Sequence, residues 1–197
     1  MNGSSFRRAA LMASLAVTLT AGAALAEGSF PNTLSDADRQ GLEAFADTRA
    51  QAIETARAKG EAADVAQLER ALQGEATALA PAAMAGDWRC RSIQFSQYLA
   101  VIAYGEFRCR ITDDTAGLRL EKLTGSQRTS GTFYDIGETR LGYAGAEAWG
   151  DNEQPYRYGQ DPERDQVGYL VPVSSRHLRL ELLDRGGRSF SILDLRR

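Results

Sequence analysis

Apolar residues recur along this chain with two different periods, and the change between them falls near Ala83. Upstream, Leu42, Phe45, Ala46, Ile53 and Ala56 fall on one helical face, because residues three and four apart stack above one another on a helix. Ser35 followed by Asp38 makes a capping-box-like start, and Gly60 supplies a stop. Val65, Leu68, Ala71 and Leu72 give a second, shorter helix one apolar face, with Asp64 and Gln67 at its start and Gly74 and Pro81 breaking the pattern. The pair predicts an N-terminal amphipathic hairpin over the segment 27–82 whose stripe packs on the rest of the protein. Its polar face mixes charges, unlike the basic face of a membrane-surface helix.

Downstream, over 83–197, aromatic residues, glycines and short alternating runs take over. Strands are predicted near 87–93, 99–111, 118–123, 128–135, 138–144, 166–173, 177–183 and 188–196. Leu118 and Leu120, and Leu178, Leu180 and Leu182, alternate with polar neighbours, as strands with one buried face do. Turn chemistry separates the runs: Asp113-Asp114-Thr115-Ala116-Gly117, Ile136-Gly137 and Gly186-Gly187. The fold class expected is α+β, a helical hairpin followed by an antiparallel eight-stranded β-barrel or sandwich. Gly86-Asp87-Trp88 resembles the G-x-W that opens lipocalin-like, calycin-like barrels, and that resemblance implies an arginine covering the tryptophan, for which Arg196 in the last strand is placed.

The first residues change the picture of where this fold works. Arg7 and Arg8, the apolar run from Ala9 to Leu25 and the Ala24-Leu25-Ala26 site read as a cleavable secretory signal over 1–26, with the mature chain starting at Glu27. The run is shorter than the ~20 apolar residues of a spanning helix, so no transmembrane segment is expected after cleavage. With a Lys-poor, Arg-rich composition, the leader points to the periplasm of a Gram-negative bacterium. Its loss takes two arginines from 23 basic residues while 26 acidic ones remain, moving the net charge from −3 to about −5. That balance argues against nucleic acid as partner.

The chain has two cysteines, each in an aromatic-Arg-Cys-Arg tetrapeptide: Trp88-Arg89-Cys90-Arg91 and Phe107-Arg108-Cys109-Arg110. In an extended strand each would turn ring and cysteine to one side and both arginines to the other. In an oxidising compartment a Cys90–Cys109 disulfide is expected, closing a loop of roughly 20 residues worth about 3 kcal/mol. If the cysteines face each other directly, Arg89 meets Arg110 and Arg91 meets Arg108. Pairing through the turn at Asp113-Asp114 would set Glu121 opposite Arg108 and Arg119 opposite Arg110. Like charges opposed across strands are unfavourable, so this register calls for carboxylates or a bound anion.

A second polar region is the glycine-bracketed stretch from Leu123 to Gly131, where backbone amides with Thr124, Ser126, Gln127 and Arg128 can form an anion-binding nest. It lacks the Gly-Lys pair and following helix of a P-loop. Ser126 has no G-x-S-x-G elbow, and the lone histidine, His177, stands in an alternating strand between arginines. The irregular segment 150–165 carries Asp151, Glu153, Asp161, Glu163 and Asp165, but lacks the glycine of a D-x-D-x-D-G calcium loop. No catalytic, metal or cofactor residue is assigned. The candidate ligand site is Arg108, Arg110, Glu121, Thr124, Ser126, Gln127, Arg128, Asp165 and Gln166.

The blocks Gly86-Asp87-Trp88-Arg89-Cys90-Arg91, Phe107-Arg108-Cys109-Arg110-Ile111, Leu120 to Gly131 and Arg164-Asp165-Gln166-Val167-Gly168 resemble an alphaproteobacterial family of exported proteins described as domain of unknown function 4893. The resemblance implies helices before a β-rich body and no activity. The expectation is a non-enzymatic periplasmic binding or envelope-associated protein, with a small or anionic ligand or an envelope protein as partner. Two alternatives remain open: a secreted protease-inhibitor-like interaction protein, or an enzyme of unknown class.

Overall fold

A computed structural model of the chain describes residues 30, 32–96, 98–114, 117–150, 153–154, 156–184, 187 and 189–197. The leader expected over 1–26 lies outside them, as do Asp151 and the turn residues Thr115, Ala116 and Gly186. Helices come first: α1 (Asp36–Glu43), α2 (Phe45–Lys59), α3 (Ala62–Leu72) and the single turn α4 (Pro81–Met84). Eight strands follow: β1 (Gly86–Ser96), β2 (Ala100–Asp114), β3 (Gly117–Lys122), β4 (Arg128–Asp135), β5 (Leu141–Ala148), β6 (Asp165–Ser174), β7 (His177–Asp184) and β8 (Ser189–Arg196). Every strand pairs antiparallel with its neighbours in sequence, and β8 returns to β1, so the sheet closes into a barrel. Among the described residues no helix is long and apolar enough to cross a membrane.

The helical part differs from the expected hairpin. The first helix is broken at Ala44, whose φ of −87° and ψ of 3° end α1 and start α2. The Ser35 cap forms, its Oγ accepting from the Asp38 amide at 3.2 Å. Asp64 does not cap α3: Glu61 holds the N-cap position with no side-chain bond. The Asp64 carboxylate instead accepts from the Ala103 amide of β2 at 3.1 Å, tying the helix to the barrel. Ala46 of the expected stripe is exposed, whereas Phe45, Ile53 and Ala56 are buried.

Two apolar clusters occupy the two sides of the barrel wall. The first takes residues from all eight strands, among them Trp88, Cys90, Cys109, Ile111, Leu120, Phe133, Tyr143, Leu170, Leu180 and Leu195. Only the inside of a closed barrel brings eight strands to one cluster. Met84 of α4 joins it beside Trp88, whose Nε1 donates to the Met84 carbonyl at 2.9 Å. The second cluster seats Phe45, Ala56, Leu68 and Ala71 of the helices on Ile93, Val101, Val167, Leu183, Phe190 and Ile192. The helices therefore cover part of the barrel's outer face.

The disulfide joins Cys90 to Cys109, but the register around it is two residues off the expected one, which keeps both cysteines facing inward. Trp88 lies opposite Cys109, Arg89 opposite Arg108, Cys90 opposite Phe107 and Arg91 opposite Glu106. The bridge thus runs diagonally between inward positions, its Cα atoms 5.9 Å apart. Across β2 and β3, Glu121 faces Arg110 and Arg119 faces Thr112, not Arg108 and Arg110 as expected. The arginine lying over the Trp88 ring, 3.8 Å from its centroid, is Arg197 and not Arg196. Arg196 is drawn instead to Asp194 and to the Arg70 carbonyl. Strand β5 starts three residues later than expected.

Candidate functional site

Inward positions of β3 alternate Leu118, Leu120, Lys122, and the third is a cation. Lys122 is only 8% exposed. Its Nζ donates to the Gln127 carbonyl and lies 3.9 Å from the centre of the Phe107 ring. Neither partner carries a full negative charge, and no carboxylate lies within ion-pair distance among the described residues. Burial pulls the ammonium down to about 8, Glu147 opposes that shift through space, and Arg128 adds to it.

This lysine borders a cavity of about 200 Å³ at the end of the barrel away from Met84. Ser92 and Gln94 of β1 line it, with Gly125, Ser126 and Gln127 from the connection to β4, Thr129 of β4, Glu147 of β5, Gln166 of β6 and Ser191 of β8. Gly125 takes a φ of 88° there, a left-handed conformation that glycine adopts without strain. A hydrogen-bonded chain orders the wall. Thr129 Oγ1 donates to Gln166 Oε1 at 2.5 Å, so at the 2.9 Å contact the Tyr143 hydroxyl must be the donor to Thr129. Gln166 Nε2 then donates to Glu147 at 3.1 Å and to Asp184 at 2.9 Å. Burial pushes the Tyr143 hydroxyl far up, which keeps it a neutral donor. Glu147 also accepts from Trp149 Nε1 at 2.8 Å. Arg128 holds the carbonyls of Gly150 and Glu153 through Nη2, while its buried Nε has no acceptor among the described residues.

The residues singled out in the sequence separate into three places. Ser126, Gln127, Arg128 and Gln166 line the cavity. Arg108 and Arg110 point outward from β2, with Glu121 opposite Arg110, and Thr124 serves the backbone by accepting from the Arg108 amide at 2.9 Å. Asp165 is near neither: it accepts from Gly159 N at 2.9 Å, and burial raises it above the usual carboxylate range, helped by Asp38 and Asp161. The acidic segment binds itself, Glu153 and Asp161 both pairing with Arg164 at 2.9 and 3.3 Å. Lys122, Thr129, Tyr143 and Glu147 were not singled out. The one signal for them was a lysine at the inward beat of an alternating strand.

The fold and this cavity define a class: a closed eight-stranded antiparallel barrel, helices on its outer wall, with a polar, cation-bearing pocket at one mouth. The chain belongs to the family described as domain of unknown function (DUF4893), whose model matches residues 31–195. No curated protein matches the chain. Among solved structures it is similar to a protein of unknown function of the DUF3598 family from Nostoc punctiforme, with 15% identity and a TM-score of 0.37. That match covers 62% of this chain and 51% of the other, so it spans about half the length of that relative.

Proposed function

We propose that this is an exported, non-enzymatic binding protein that holds a small polar ligand with an anionic group in the mouth of its barrel. The observation that carries the reading is Lys122: a buried ammonium on a cavity wall, met among the described residues by a carbonyl and a ring face and by no carboxylate. A carboxylate or phosphate would supply the countercharge that burial of a cation requires. Gln94, Ser126, Gln127 and Ser191 offer neutral hydrogen-bonding groups around it. The leader-like pattern of residues 7–26 and the disulfide favour export to the periplasm. The lipocalin-like opening, Gly86 to Trp88 under an arginine, favours a barrel that binds ligands.

Native mass spectrometry of the protein recovered from the periplasm tests this. A bound small mass is expected on the wild type and not on Lys122→Met. A wild type without adduct, whose Lys122 Nζ resonance is unmoved by acetate, succinate and phosphate, would sink the reading. One observation favours an interaction protein instead: Tyr98 and Leu99, at the tip of the β1–β2 hairpin, are 94% and 60% exposed. That reading requires Tyr98→Ser to abolish capture of an envelope protein while leaving the cavity ligand in place.

A further inference from the structure

Strand β1 carries Arg89 on its outer face with an arginine directly opposite on both sides, Arg108 of β2 and Arg196 of β8. Three like charges in a row across three strands work against the sheet. Most of the nearby carboxylates are already engaged, and Glu121 of β3 stands opposite Arg110 and not Arg108. Asp87 pairs with Arg110 at 2.7 Å, and that hydrogen bond and charge hold it below the usual carboxylate range. Asp194 takes Arg196 at 3.1 Å and His177 at 2.8 Å, and Glu106 lies 3.6 Å from Arg91. Arg197 is spent on the Met84 and Ala85 carbonyls and the Trp88 ring. The guanidinium groups of Arg89 and Arg108 make no hydrogen bond or ion pair among the described residues. They border a groove of about 340 Å³ that Leu123 also lines. The chain as a whole is acidic, at −3, so the cluster is local and not a by-product of composition.

We propose that this groove is a second binding site, distinct from the barrel mouth, for a ligand bearing phosphate groups. Arg89 and Arg108 are its donors. Each guanidinium presents five N–H groups in a flat fork that matches phosphate oxygens two at a time. Cross-strand neighbours stand about 5 Å apart at Cβ, close enough for two forks to grip one phosphate or a linked pair. A bound dianion also removes the repulsion that the register builds in. The groove is larger than a single phosphate needs, which suits a diphosphate or a phosphorylated headgroup.

The test uses the full mature chain with inorganic diphosphate and, separately, with vesicles of phosphatidylglycerol or of phosphatidylcholine. Diphosphate is expected to shift the Arg89 and Arg108 Nε–H resonances, and Arg89→Gln/Arg108→Gln to weaken binding at least tenfold. Lys122→Met should bind diphosphate as the wild type does, which separates this site from the mouth. Binding of diphosphate alone identifies a soluble ligand, and sedimentation with phosphatidylglycerol but not phosphatidylcholine vesicles identifies a lipid headgroup. Arg108→Gln alone should raise Tm in low-salt, phosphate-free buffer, confirming that the variant folds and that repulsion was relieved. Unmoved Nε–H resonances with both probes, or equal affinity in the double variant, would overturn the proposal.

Discussion

At the scale of single residues, Lys122 sets the chemistry of the mouth and imposes a cost on the fold. Its ammonium sits near 8 when folded and near the ordinary lysine value when unfolded. Below about 8 both states keep the proton, and burying the charge weighs on the folded state in full. Between about 8 and 10.5 the folded state releases its proton first, so the unfolded state binds more protons and stability rises with pH. Lys122→Met should therefore be more stable than wild type at pH 7, by about 1–3 kcal/mol, with the gap closing towards pH 10. Urea unfolding at the two pH values reads this directly, and a gap that stays constant contradicts it. Such a residue was half legible in the sequence. The run Leu118 to Lys122 shows a lysine on the leucine beat, but the beat acquires a direction only once the barrel closes. The same one-residue ambiguity separates Arg196 from Arg197, because neighbours on a strand occupy opposite faces.

Among the elements, β2 and β5 show where local pattern runs out. Between Arg91 and Ile93 strand β1 advances two residues while β2 advances three, from Glu106 to Ala103. This bulge turns Phe107, Cys109 and Ile111 inward but Val101 outward against the helices. An alternation count over 99–111 cannot register a change of phase. In β5 the glycines and alanines on either side of Tyr143 make room for rings, which an expected strand over 138–144 did not reveal. A Cβ on Gly145 would come within 2.4 Å of the Tyr143 hydroxyl, and one on Gly142 within 2.6 Å of Phe30. The helices depend on an equally non-local contact. Buried Glu181 of β7 accepts two bonds from Arg49 of α2, at 2.8 and 3.0 Å, and one from Arg179 at 2.7 Å. Glu181→Gln leaves that charge cluster unbalanced and should cost about 3 kcal/mol. Hydrogen exchange should then quicken in α2 while the amides of β3 to β5 keep their protection, and uniform loss of protection would refute the docking role.

For the molecule as a whole, eight runs of alternating residues and their turns were readable, while closure was not. Closure rests on pairs such as Gln94 with Ser191, about a hundred positions apart, and no local signal encodes them. The disulfide reinforces the inside of that ring beside Trp88. Replacing both cysteines with alanine should lower stability by about 3 kcal/mol while the fold persists, measured by urea unfolding of the two proteins without reductant. An unchanged midpoint would mean the bridge adds nothing to the packed core. Closure also limits how another polypeptide can approach. A sheet with ends offers a row of unpaired amides and carbonyls onto which a foreign strand can be laid. Among the described residues this ring has every strand flanked by two others. The exceptions are lengths of strand and not whole strands: residues 100–107 of β2 pair with β1 but with no residue of β3, so a foreign strand has only such short stretches on which to be laid.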